Sequence, residues 1–451
     1  MDITNTVLGD EIDYITKRNN KAGSVARTAV IHTPGEDVEC FKVLNYDEVM
    51  DYISNYCPEI TITLLLPAGK HAYKVLPNKT NLEISLTVTK AGVASSDIDN
   101  SSYGNIERYR AIVYDGDDSI LSATGQSVID ENTMDLADFA VVQFQLFNKS
   151  MEQFSLRSTG GIFRKTKVED IVRSVLIGES SRVDVDDDYK MMGVDMVPAL
   201  QVQPREHFVI PHGTPAYDVL GYIHKNCGGI YPTGLSYFYQ NDYWYVFPPY
   251  DNTRFEKDER TLTIIQVPSG KMPSTESTWV KHGSSLRILS TGNSDYADDS
   301  EATALNEGNG VRFTDATDFF NSPVVVEGNK AVVSRAKQNN EFMASARDTG
   351  INNVVNSSER ITANTLYQSS KLASREGSSM QLMWDNSAPE HLIPGMQVKI
   401  LYYKDSQVKE RRGCLIGMHN SIAYTGQGLL TGKHIRQTAL HLFVQKKDYV
   451  E

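Results

Sequence analysis

Four sets of residues in this chain have types and spacings that could do chemistry, and each has a plainer reading beside it. Asp184, Asp186, Asp187 and Asp188 crowd four carboxylates together, as part of a calcium loop does. That loop also needs a turn glycine and a distal bidentate glutamate, which are missing, so a solvated acidic loop is expected. His207 and His212 bracket Phe208-Val209-Ile210-Pro211. On a strand, residues five apart point to opposite faces, so the two imidazoles are not expected to share a metal. Tyr237, Phe238, Tyr239, Tyr243, Trp244 and Tyr245 form an aromatic run that could stack sugars or bases. The alternative, which is preferred, is a hairpin packed on the helix before it. Cys40, Cys57, Cys227 and Cys414 lie far apart with no CxxC pair, which argues against a disulfide framework and a thiolate zinc site and for folding in a reducing cytosol.

No HExxH, GxxxxGK(S/T), GxSxG or helix-opening GxGxxG pattern occurs, so the common motif-bearing enzymes are disfavoured. Single carboxylates are plentiful, but the paired acid and base of glycoside cleavage cannot be recognised from spacing. The expectation is a non-enzymatic chain with no catalytic, cofactor-binding or metal-binding residues, and with no cofactor.

These residues must be held by something, and the chain is long enough to hold them. Its 451 residues, 40% hydrophobic and 22% charged, have the balance of a globular protein with about two to four domains. The start, Met1 to Lys17, carries Asp2, Asp10, Glu11 and Asp13 and lacks a basic stretch followed by an apolar core, so no secretory signal is expected. No apolar run approaches the ~20 residues that cross a bilayer. A formal charge of −13 disfavours tight, nonspecific attachment to phosphate backbones without excluding nucleic acid that passes nearby.

The first third reads as strands. Ile60 to Leu66 leads to a Pro67-Ala68-Gly69 turn. Leu82, Ile84, Leu86 and Val88 alternate as on a half-buried strand, and Tyr109 to Tyr114 and Phe139 to Phe147 follow. A helix capped by Asn45 is predicted through Val49, Tyr52, Ile53 and Tyr56, and a surface loop over Ala94 to Gly104. In the middle, Thr166 and Glu169 form a capping-box pattern for a helix with the apolar stripe Val168, Ile171, Val172, Val175 and Leu176, stopped by Gly178. A second helix is predicted from Thr214 and Pro215 through Tyr217, Leu220, Ile223 and His224 to Gly228-Gly229, then a hairpin, Leu235 to Gln240 and Tyr243 to Phe247, turning at Asn241-Asp242. Further on, Asn293 to Gly310 reads as a mobile acidic loop, and Ser334 to Gly377 as an Asn- and Ser-rich stretch with a helix near Ile361 to Leu372. Closing strands are predicted at Met380 to Trp384, Gln397 to Tyr403, Gly413 to Met418 and Ala439 to Val444.

The order of a capped helix at Thr166, an acidic loop, Phe208-Val209-Ile210-Pro211-His212-Gly213-Thr214-Pro215, a helix, Cys227-Gly228-Gly229-Ile230-Tyr231 and a hairpin resembles phage tail hub proteins. These are the late-control D and contractile-tail hub family, related to the base of type VI secretion spikes. Leu392-Ile393-Pro394-Gly395-Met396-Gln397-Val398-Lys399-Ile400 resembles the family's proline-glycine step into a strand, and His441-Leu442-Phe443 its terminal strand. The resemblance covers roughly 166–247 and 381–444.

It implies a mainly β fold with an α+β middle: a tube-like β-barrel domain over 1–160, a helix-and-hairpin domain over 161–260, and a second tube-like domain over 261–451. A polar insertion lies near 290–378, and the tube-like domains are free to be discontinuous. The implied protein is a structural adaptor of the phage baseplate, a homotrimer between a hexameric tail tube and a trimeric spike. DNA would pass through its channel without specific binding, and tape-measure and wedge proteins are further candidate partners. It would be made in the bacterial host cytoplasm and reside in the virion tail, without membrane insertion. The chain stops at Glu451 with no needle repeat or lysozyme-like domain following, so spike and muralytic functions are expected on other chains. The competing class is a carbohydrate-active or receptor-binding tail protein, with the aromatic run as its best feature.

Overall fold

The computed structural model describes residues 7–17, 25–90, 106–114, 139–186, 189–199, 203–227, 229–231, 233–268, 270, 272–273, 278–298, 310–315, 326–327, 330–331, 342–344, 351–357, 377–405, 407–425, 433–445 and 449–450. The chain is mainly β, with an α+β body between two barrel-like halves. Helix α1 (Val7–Lys17) precedes β1 (Val25–His32), β2 (Asp37–Glu39), β3 (Lys42–Asp51), β4 (Glu59–Pro67), β5 (Leu82–Lys90), β6 (Ile106–Val113) and β7 (Phe139–Phe147). These strands lie side by side in the order β2-β1-β5-β6-β7-β4-β3. Alternation builds the wall: Leu82, Ile84 and Leu86 of β5 and Ile60, Ile62, Leu64 and Leu66 of β4 all point into one core.

Two local expectations fail in this half. The helix predicted from Asn45 is instead β3. Of the stripe behind that expectation, Val49 lies on β3 and is exposed, whereas Tyr52, Ile53 and Tyr56 follow the end of the strand, so the helical spacing spans a strand and the turn after it. Asp51 then accepts the N–H groups of Ile53 and Ser54 at 2.9 and 3.1 Å, which makes the turn out of the strand. At Pro67-Ala68-Gly69 the chain does not simply turn: α2 (Ala68–Lys70) opens a helical run to Asn78. Lys70 and Lys74 of that run both reach Glu36 and tie it to the barrel.

The middle body comprises α3 (Lys149–Ser155), β8 (Ser158–Thr166), α4 (Val168–Ser180), β9 (Gly193–Met196), β10 (Arg205–Pro215), α5 (Val219–Asn226), β11 (Ser236–Gln240) and β12 (Tyr243–Phe247). The predicted stripe of α4 is buried throughout. Its capping box is not formed, because Thr166 pairs with Arg205 in the β8–β10 ribbon and its hydroxyl donates to the Arg164 carbonyl at 2.9 Å. Gly178 lies inside α4, which runs on to Ser180. Likewise Thr214 and Pro215 pair with Thr159 and Ser158 in the ribbon, so α5 starts later than its sequence signal. The β11–β12 hairpin turns at Asn241 and Asp242, with φ of 50° and 63°, the left-handed pair of a tight turn.

The last part carries β13 (Thr261–Val267), β14 (Trp279–His282) and β15 (Ser285–Asp298). Then come β16 (Gly310–Asp315), β17 (Val326–Glu327), β18 (Lys330–Ala331), β19 (Phe342–Ala344) and β20 (Ile351–Ser357), in two small sheets. It ends with β21 (Ser378–Asp385), β22 (Gln397–Lys404), β23 (Gln407–Thr425), β24 (Lys433–Val444) and β25 (Tyr449–Val450). Six strands close a ring, β13-β15-β21-β24-β23-β22 and back to β13. Residues 293–298, expected as loop, continue β15, and Asp298 pairs with Ser378. The segment 299–377 therefore leaves and re-enters the barrel on adjacent staves. The rest of the acidic stretch, the helix near Ile361 to Leu372 and the Ala94 to Gly104 loop lie outside the described residues. Outside this barrel, Leu8 and Ile15 of α1 pack on Ile265, Val267, Leu289 and Leu401, and Arg287 donates to both oxygens of Glu11 at 2.6 and 2.7 Å.

Candidate functional site: the seam between the barrels

Strand β23 belongs to both barrels. Its first half pairs with β22, from Gln407↔Lys404 to Cys414↔Gln397, and its second half with β3, from Gly417↔Asp51 to Ala423↔Asn45. Ile422 from this second half is 1% exposed and sits in the first barrel's core with Tyr46, Ile62 and Phe144. The change of partner falls at a bulge between Leu415 and Gly417. A side chain at Gly417 would stand 2.8 Å from the Met50 carbonyl oxygen, so the close approach needs a glycine.

The hairpin braces the seam from the side. Phe238, Tyr245 and Phe247 enter the core of the second barrel beside Trp384 and Met396. Tyr237, Tyr239, Trp244 and Val246, on its other face, pack with Ile171 and Ile223 of α4 and α5. A Cβ on Gly395, at φ +74°, would strike the Phe247 ring at 2.3 Å, so the proline-glycine step before β22 lets that ring seat.

A polar chain crosses the seam. Asn420 donates to Glu48 at 3.1 Å and accepts from Nε of Arg436 at 3.5 Å, and Arg436 donates to Glu390 at 2.7 Å. Arg27 lies 3.6 Å over the Tyr46 ring, and its Nε and Nη1 find no hydrogen-bond partner among the described residues. Arg27, Tyr46, Glu48, Glu390 and Arg436 line a cavity of about 120 Å³ between the first barrel, the hairpin and the second barrel. Burial opposes the Arg27 charge, but Tyr46, Glu107 and Glu48 outweigh it and hold its pKa above the ordinary value. Desolvation pushes Glu48 above the usual carboxylate range despite Arg27 and Asn420. Burial would also raise Glu390, yet Arg436 prevails and holds it low. Chemically this arrangement locks positions; it presents no nucleophile beside a base.

A second space along the seam, about 600 Å³, is lined by Val49, Ile53, Met380, Met418 and Leu442, with Asp51 and His441 among them. Burial, aided by His419, lowers the pKa of His441 against the pull of Asp51.

The residues singled out by sequence do not converge. Asp184 and Asp186 are exposed in a loop, while Asp187 and Asp188 lie outside the described residues. His207 and His212 are exposed on β10. Among the described residues no group of three His, Cys, Asp or Glu is placed to hold a metal ion. All four cysteines are free thiols, and burial pushes them up, Cys40 and Cys414 to about 12 and Cys57 and Cys227 to about 11, which leaves them unreactive. Of the aromatic run, all but Tyr243 are buried. The seam residues Arg27, Glu48, Glu390, Asn420 and Arg436 carried no sequence signal, since they are isolated polar residues from remote parts of the chain.

No family model matches the sequence, and no curated protein is detectably similar to it. Solved structures with a similar arrangement include a 43 kDa tail protein of prophage MuSo2 from Shewanella oneidensis, with 9% identity and a TM-score of 0.47, covering 92% of this chain and 98% of that one. The Francisella PdpA–VgrG complex has 9% identity and a TM-score of 0.41, covering 93% of this chain and 58% of that one. The phage P2 baseplate in its activated conformation has 10% identity and a TM-score of 0.31, covering 93% and 99%. At this level the likeness is one of overall chain course.

Proposed function

We propose that the chain is a non-enzymatic hub of a phage tail baseplate, joining the tail tube to the spike. The observation that carries this reading is that β23 is a stave of both barrels. Two β-barrels sharing a strand, wedged by a hairpin buried on both faces, transmit load and orientation without moving against each other. An adaptor needs that property and an enzyme does not. Three such chains present six barrels on one face while remaining three, which matches a six-fold tube to a three-fold spike. Cyclic closure would also cover the edge at β2, where the first barrel's row of strands ends. The sequence resemblance at 166–247 and 381–444 supports the reading, since these stretches form helices, a hairpin and strands in the order it implies, although Thr166 and Thr214 extend a ribbon instead of capping the helices. The hub would be a homotrimer in the virion tail, made in the host cytoplasm, with an acidic surface that lets DNA pass its channel without adhering. The sugar-binding alternative loses its main feature, because the aromatic hairpin is core.

Reconstruction of the tail tip tests the reading. Three copies on the tail axis are expected, and a six-copy or peripheral position would overturn it. Purified protein that clears a peptidoglycan zymogram would refute the non-enzymatic part.

A further inference from the structure

The β8–β10 ribbon is the least covered part of the middle body. Among the described residues it is a two-stranded sheet with no further strand on either edge. Its inner residues Phe208 and Ile210 enter the middle core. Ile162 and Val209, partners directly across the two strands, are 66% and 51% exposed. An opposed apolar pair left in water on an open-edged ribbon is free to pack against a partner. Arg164, Lys165 and Lys167 stand beside it, exposed, and among the described residues none of the three forms an ion pair. Nearby cations do: Arg157 and Arg182 pair with Glu179, and Arg173 with Glu169.

The seam groove has the opposite character. Its walls carry Val49 and Ile53, each 37% exposed, over the buried side chains of Met380 and Leu442. Asp51 lines it, and although burial works against its charge, the N–H groups of Ile53 and Ser54 hold its carboxyl below the usual range. Glu59 stands opposite Val49 in the β3–β4 register. With His441 neutral, the groove is apolar with an acidic rim, on a chain of net charge −13. The ribbon is apolar with a rim in which Arg164, Lys165 and Lys167 outnumber Glu206, exposed across from Lys165.

We infer that the seam groove of one copy receives the Ile162–Val209 ribbon of the next, in a head-to-tail contact between unlike surfaces. This rests on the trimer reading and deepens it by naming the surfaces. Unlike patches repeated by rotation close a ring, and like-charge repulsion disfavours groove against groove or ribbon against ribbon.

Native mass spectrometry of the full chain tests the contact with a ribbon variant, Ile162→Asp with Val209→Asp, and a groove variant, Val49→Asp with Ile53→Asp. The wild type is expected as a trimer and each variant as a monomer. An equal mixture of the variants should give a dimer of one each, because one supplies the intact ribbon and the other the intact groove. A ribbon variant that still forms trimers, or a mixture that stays monomeric, overturns the contact, while a trimeric wild type leaves the hub reading standing. A wild type that is monomeric at every concentration overturns the contact, while the hub reading, in which the trimer forms alone or only on the spike, is decided by the reconstruction of the tail tip. If an aspartate variant has lowered thermal stability, Arg164→Glu with Lys165→Glu replaces it and leaves the packing untouched. That pair should weaken the trimer by about tenfold or more and flatten its salt dependence; an unchanged affinity overturns the contact.

Discussion

The two barrels are built from similar apolar staves but complete their walls differently. In the second, six strands hydrogen-bond around a full circle, and Trp384, Leu382, Val398 and Leu440 fill the interior. In the first, the row of strands ends at one side in β2, only three residues long, and at the other in β3, whose free edge is taken by β23. The second barrel lends the first a stave and a core residue, Ile422. The second also has α1 on its outside and the hairpin in its core. The difference implies an unequal dependence: the second barrel keeps its closed ring of strands without the first, from which it takes the core residues Met50 and Tyr52, whereas the first loses a wall strand without the second.

The largest test breaks the closed barrel. Trp384 is fully buried and its indole N–H donates to the Thr278 hydroxyl at 3.1 Å. Trp384→Ala should cost about 3–5 kcal/mol, and hydrogen exchange should speed up in β13 and in β3 and β4 together. Protection that survives in β4 would contradict the dependence. Ile422→Ala probes it from the other end. It should cost about 2–5 kcal/mol, with faster exchange in β3, β4 and β7 and unchanged exchange in β13. Equal loosening of both barrels would argue that neither leads.

The seam itself offers two carboxyls of opposite sign. Glu390 has a depressed pKa when folded, so its contribution is present above the usual carboxylate range and is lost as pH falls through its folded value. Glu390→Gln should cost about 1.5–3 kcal/mol at neutral pH and nothing in strong acid. Glu48 has a raised pKa when folded, so its contribution is full in acid and is lost as pH rises through the folded value. Glu48→Gln should therefore raise the unfolding temperature at neutral pH and match the wild type in acid. Denaturation curves across pH read both signs, and parallel curves would sink the seam assignment. Far from the seam, the exposed Lys167→Ala should shift stability by less than about 0.5 kcal/mol, which sets the background against which the others are read.

Much of this architecture was legible without coordinates. The strand period at Leu82 to Leu86, the stripe of α4 and the Asn-Asp turn of the hairpin are patterns a few residues long, set by local geometry that holds wherever the element is placed. Boundaries were less legible where one residue served two elements. Thr166, Thr214 and Pro215 carry helix-start signals, yet their backbones extend a ribbon whose other strand lies far along the chain. At β3 the helical spacing of Val49, Tyr52, Ile53 and Tyr56 joins one strand residue to three that lie beyond its end, and only the pairing with β4 and β23 shows where the strand stops.

The seam was not legible at all. Residue order and type were enough to set which segments are strands and which helices, because alternation and capping are nearest-neighbour matters. Tertiary structure alone decided that β23 is shared, that the hairpin is buried on two faces, that Arg27, Glu48, Arg436 and Glu390 meet around one cavity, and that Asn420 bridges Glu48 and Arg436. The physical reason is that a strand's hydrogen bonds along each edge carry no mark of their partner until the barrels close. Only then does an isolated polar residue in each of several distant segments become part of one network.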